Sequence, residues 1–253
     1  MSLSLAGIGL VAAAGLAVGA LAVRPIVFAY SVPDGRRSGC PHCGLPVVVG
    51  LAGTVSRVLI RPRCPHGAAG EDNGERGPRI GPLPGLPEAL TGGGAAAVAW
   101  AGGPGWLLAM QLWMVMVGAA LLLVDLAVTR LPDHLSAAAA VGVAVLLVIA
   151  SVMDSRWQAF GRAALAALVV GVVFVVLALL GMGLGDVKLA PTLAAVLGWH
   201  SWTAVFWGIG AGLLLGAAHA VVLSVRVGAG RKEELALGPA LLVGALTVSA
   251  LLG

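Results

Sequence analysis

Apolar residues in this chain come in long unbroken runs. Segment 164–181, ALAALVVGVVFVVLALLG, contains no polar side chain over its whole length. A helix crosses the hydrocarbon core of a bilayer with about 20 apolar residues, and runs of that kind recur near 3–23, 89–102, 106–128, 134–153, 158–180, 187–199, 203–225 and 235–252. The pattern predicts an all-α polytopic membrane protein with about eight transmembrane helices. Glycines 92–94 and 102–103 dilute the second run, and the sixth is short for a full crossing. Seven crossings with one re-entrant segment therefore stay open. An outer-membrane barrel is excluded, because its strands alternate apolar and polar residues over segments of about 10.

One long polar stretch interrupts the runs, at 24–88. The expected organisation is a first transmembrane helix at 1–23, a small cytoplasmic loop domain at 24–88, and a membrane-embedded region of about seven helices at 89–253. The first run lacks a basic start and is long enough to cross, so it reads as a span rather than a cleavable signal. Within the loop, 67–87 (GAAGEDNGERGPRIGPLPGLP) reads as a connector rich in Gly and Pro. Only about 24–66 could form a compact unit, and a unit that small generally needs a staple.

Composition agrees with this picture: 59% of the 253 residues are hydrophobic and 10% charged, where a soluble domain carries about 25% charged residues. The loop holds 13 of the 26 charged residues. Placing it in the cytoplasm puts Arg130, Lys188, Arg226, Arg231 and Lys232 on the same side and leaves only Arg156 and Arg162 outside. By the positive-inside rule this gives a multi-pass protein of the cell (cytoplasmic) membrane with its amino terminus outside. Aromatic residues are not interleaved with the basic ones, so nucleic acid is not an expected partner and the lipid bilayer is.

Acids within or at the edge of apolar spans are candidates for chemistry, since hydrocarbon makes them costly. Asp125 lies inside the run LLLVDLAVTRLPDHLS, about one turn from its end, and Asp186 follows Gly181, Gly183 and Gly185 in GMGLGDVKLA. Between them the chain crosses twice, so both belong to the same, cytoplasmic, face. Two carboxyl groups in a partly dry site share one proton: one can act as general base on a water while the other donates to a carbonyl oxygen, which is the chemistry of aspartic proteases. Asp133, after Pro132 at the start of a span, suits helix capping as well as function. Asp154, beside Ser155 and Arg156, suits a solvated turn. His134, His200 and His219 lack ligand-spaced partners and read as packing or interfacial residues.

These segments resemble the prepilin peptidase (type IV leader peptidase) family of GxGD aspartic proteases. Gly183-Leu184-Gly185-Asp186-Val187-Lys188 is similar to its GxGD(F/V)K box, with GMG before it and Leu197-Gly198-Trp199 after it. Asp125-Leu126 followed by Leu131-Pro132-Asp133 is similar to its first aspartate motif. Leu237-Gly238-Pro239-Ala240 resembles its IPFGP-type segment, and PEALTGG (87–93) its acidic-LTG segment. The resemblance implies that Asp125 and Asp186 are a catalytic pair. It implies as partners prepilin or pseudopilin-like precursors, whose basic leader is removed at the cytoplasmic membrane face in type IV pilus assembly or protein secretion.

The family's loop usually carries two CxxC knuckles. Here Cys40-Pro41-His42-Cys43 is one, with spacing suited to a tetrahedral zinc pair. The second keeps Cys64 but has Gly67 in place of the fourth cysteine, so Cys40, Cys43, Cys64 and His66 form the expected structural zinc set, against three solvated thiols in a reducing cytoplasm. Some members also methylate the new amino terminus with S-adenosylmethionine; that cofactor is expected only if methyl transfer is retained, and no glycine-rich nucleotide motif is visible. Two rivals remain: an ion- or proton-coupled transporter using Asp125 and Asp186, and a zinc-binding membrane adaptor without catalysis.

Overall fold

The computed structural model describes residues 3–31, 82–83, 85–101, 105–128, 132–180, 184–227 and 237–251. Among them the chain forms helices only: α1 (Leu5–Tyr30), α2 (Leu86–Ala101), α3 (Trp106–Val128), α4 (Asp133–Met153), α5 (Trp157–Leu179), α6 (Leu184–His200), α7 (Trp202–Val227) and α8 (Gly238–Leu251). Five of these, α1, α3, α4, α5 and the Trp202–Val222 part of α7, are long and apolar enough to cross a membrane. Among the described residues the protein is thus all-helical, with several helices suited to a multi-pass membrane protein. The two segments that sequence marked as diluted or short become α2 and α6, of 16 and 17 residues. At 1.5 Å per residue α6 is about 25 Å long, a little less than the ~30 Å hydrocarbon core.

The first helix starts at Ser4, whose hydroxyl accepts from the Gly7 N–H at 3.2 Å, a serine N-cap. It does not stop at Val23, where the apolar run was expected to end. Arg24–Tyr30 continues it for seven residues after a π-helical stretch, Gly19–Val23. Pro25 explains the stretch: it has no N–H to donate to the preceding turn, and the ladder loosens so that the Arg24 N–H reaches back to the Gly19 carbonyl. On the other side of the polar stretch, Gly85 takes φ +84, a left-handed conformation that glycine adopts without a Cβ penalty, and turns the chain into α2. Helices α1 and α2 then pack backbone to backbone: a Cβ on Gly15 would sit 2.7 Å from the Thr91 carbonyl oxygen.

The core is built around α3 and α6. Met110, Met114, Leu121 and Val124 of α3 and Leu189, Leu193 and Leu197 of α6 are fully enclosed. Helix α5 lies against α6 through small residues, so close that a Cβ on Gly198 would meet the Ala166 Cβ at 2.8 Å; small residues let membrane helices approach in this way. Helix α8 packs on α7, α6 and α3. Outward faces of α4 and α5 present Val141, Val145, Leu165, Leu168, Val172 and Val176, an apolar skin suited to lipid chains.

Candidate active site

Asp125 sits one turn before the end of α3, and Asp186 in the first turn of α6. Each is only 4% exposed, and they lie close enough for their charges to interact. The local sequence explains the placement. The run LLLVDLAV continues α3 past Asp125 to Val128, keeping the carboxyl inside the apolar layer. Asp186 enters helix at its amino end, where unpaired N–H groups and the helix dipole favour an acid. One oxygen of Asp125, Oδ2, is buried with no hydrogen-bond partner. Among the described residues no lysine or arginine is ion-paired with either aspartate.

Parity between the two acids is visible directly. Lys188, on α6, pairs with Asp133, the first residue of α4, so the starts of α4 and α6 lie at one end of the bundle. Asp133 is exposed and tied across this end rather than capping its own helix, whose N-cap position is Pro132. Asp154 is exposed in the α4–α5 turn, and His134 and His219 are exposed on their helices. The expected zinc ligands Cys40, Cys43, Cys64 and His66 lie outside the described residues. Among the described residues no group of three or more His, Cys, Asp or Glu side chains is placed to hold a metal.

Three polar sites escaped the reading of the sequence. Arg24, counted there as a loop charge, is 2% exposed and forks onto Glu88 of α2: Nε donates to Oε1 at 2.9 Å and a terminal nitrogen donates to Oε1 and Oε2, both at 2.6 Å. Its signal was an arginine followed by PIVFA, apolar again. Arg162, counted as an external charge, closes the carboxyl end of α6 by donating to the carbonyls of Gly198, Trp199 and His200 at 2.7, 2.7 and 2.8 Å; such last-turn carbonyls otherwise lack partners. Gln111, the one amide in the apolar α3 segment, donates from Nε2 to Ser249 Oγ of α8 at 2.9 Å.

Residues 112–223 match the family model of the type IV leader peptidases. Over this stretch, somewhat under half of its length, the chain is similar to the type IV leader peptidase family. The match runs from α3 into α7 and contains both buried aspartates, the Lys188–Asp133 pair and the α5–α6 contact. The match speaks for a leader peptidase, a family of hydrolases acting on prepilin-type precursors, and does not favour the transporter reading. No curated protein and no solved structure matches the chain.

Proposed function

We propose that this leader-peptidase relative is an aspartic endopeptidase that removes the leader of type IV prepilin or pseudopilin-like precursors at the cytoplasmic membrane face, with Asp125 and Asp186 as its catalytic pair. The observation that carries the proposal is two interacting carboxyl groups, both buried, on different helices at one end of the bundle, with an oxygen of Asp125 left unpartnered. Like charges this near do not both ionise in a dry site, so the pair holds one proton. The ionised carboxyl takes a proton from a water, whose oxygen attacks the scissile carbonyl. The protonated carboxyl gives its proton to the carbonyl oxygen. Collapse of the tetrahedral adduct breaks the C–N bond, and the proton first taken from water passes to the leaving amine.

The exposed apolar faces of the bundle suit a precursor whose hydrophobic helix approaches through the bilayer. A cytoplasmic loop, an outside amino terminus and eight crossings complete the reading. It is tested with membranes holding Asp125→Asn or Asp186→Asn and a precursor that has a basic leader before its apolar helix. Each variant removes an acid–base group without changing shape, and a loss of about 10³-fold in cleavage is expected at unchanged protein abundance. Full cleavage by either variant overturns the proposal.

A further inference from the structure

Helices α3 and α6 carry the two aspartates, yet they touch each other only sparingly; α8 packs against both. They run in opposite directions, with Asp125 near the end of α3 and Asp186 at the start of α6. At the far end of the same helices lie Gln111 of α3 and His200 of α6, each fourteen positions from the aspartate on its own helix. At 1.5 Å per residue that is about 21 Å. Between Gln111 and His200 stands Ser249, near the end of α8. Gln111 Nε2 donates to Ser249 Oγ at 2.9 Å, and Ser249 Oγ lies 3.4 Å from His200 Nε2. Gln111 and Ser249 are fully buried.

Apolar helices in lipid have little to fix their position along one another, because hydrocarbon on one face is as good as on the next. Polar contacts between helices supply that register. The serine hydroxyl has one hydrogen and can accept another: the Gln111 amide donates to Ser249, and in the His200 tautomer with a bare Nε2 the Ser249 hydroxyl donates onward to it. The other amide atom, Gln111 Oε1, is buried without a partner. Ser249 is therefore the residue through which α3 and α6 are tied at this end. His200 is held in turn, since Arg162 grips its carbonyl at 2.8 Å.

We propose that Gln111, Ser249 and His200 are positioning residues that set the axial register of α3 against α6, so that Asp125 and Asp186 meet at the opposite end. This role rests on the reading of the two aspartates as the reacting pair. Pro191 interrupts the ladder of α6 between His200 and Asp186, whereas α3 has no proline between Gln111 and Asp125. A slip at the tie therefore reaches the aspartates chiefly along α3, and misplacement by about 1 Å costs up to about 10²-fold in rate. Substrate binding along the outer faces would feel it less.

The test combines turnover with a distance that does not depend on turnover. Ser249→Ala, Ser249→Thr and the double variant Gln111→Leu/Ser249→Ala are purified alongside wild type. Spin labels are placed at the exposed positions Leu126 and Lys188, through non-natural amino acids that leave the native cysteines alone. Ser249→Ala should lower kcat at least about tenfold with KM within about twofold, and shift or broaden the label-to-label distance. Ser249→Thr, which restores a hydroxyl, should return both toward wild type. The double variant should recover thermal stability, because no amide is left orphaned, but not kcat. An unchanged distance in Ser249→Ala overturns the inference, as does an unchanged kcat in a protein that cleaves. A distance that moves in a chain that cleaves nothing would support the tie and sink the proposed proteolysis instead.

Discussion

Arg24 and Glu88, at the junction of α1 and α2, meet as opposite charges with three N–H···O contacts at 2.6–2.9 Å. Asp125 and Asp186, buried at one end of the bundle, interact as like charges, with an oxygen of Asp125 unmatched. Arg24 is as buried as either aspartate, with Glu88 half-buried, so burial alone does not distinguish a brace from a reactive site. The distinction lies in satisfaction. A fork-shaped guanidinium on a carboxylate is spent on holding two helices together, while two interacting carboxyl groups without cationic partners keep a proton and a lone pair available for a third molecule. The family match covers the second pair and stops short of the first.

The contrast is broken most severely by removing one member of each pair. Against the loss of about 10³-fold at either aspartate, Arg24→Ala or Glu88→Ala should leave cleavage per folded molecule intact. Each should instead cost about 3–5 kcal/mol of stability by stranding a buried charge, read as a lower melting temperature and lower abundance in membranes. Exchanging the two residues, Arg24→Glu with Glu88→Arg, should recover part of it. If Arg24→Ala abolished cleavage in stable protein, the brace would belong to the active site.

The zinc set sharpens the comparison from the loop side. Cys43→Ser is expected to lower abundance and the protection of the loop from added protease, with measurable cleavage by the molecules that remain. Metal analysis should give about one zinc per chain in wild type and less in the variant. A metal-free wild type with an equally resistant loop would contradict this.

Exposed charges should matter least. Asp133→Asn breaks the surface pair with Lys188, and its effect on cleavage should stay under about fivefold and shrink as salt rises. Asp154→Asn, in an exposed turn, should be silent in the same cleavage assay.

Much of the bundle was legible because hydrocarbon imposes a simple rule: apolar runs of sufficient length become helices, and each of the eight runs corresponds to one of α1–α8. Asp125 and Asp186 were legible for the same reason in reverse, as acids where none is cheap. What sequence could not supply was which charges find partners. Arg24 was read as the start of the loop because a lone arginine ends an apolar run, and only the approach of α2 shows it buried on Glu88. Arg162 was read only for the side of the membrane it lies on, and the approach of α5 and α6 adds that it caps α6. Gln111 and Ser249 are 138 residues apart, and no local pattern joins them. Cys40, Cys43, Cys64 and His66 lie outside the described residues, so the zinc set rests on spacing and resemblance.

The central claim, attack by a water held between two carboxyl groups, is tested most directly by the products of turnover with hydroxylamine present. Purified protein and a precursor peptide are incubated in vesicles, and the released leader is weighed by mass spectrometry. The account predicts a leader ending in a free carboxylate, at a rate indifferent to hydroxylamine, with no release by Asp125→Asn or Asp186→Asn. A leader hydroxamate, or an acyl adduct on the chain, would show a covalent nucleophile and contradict the account.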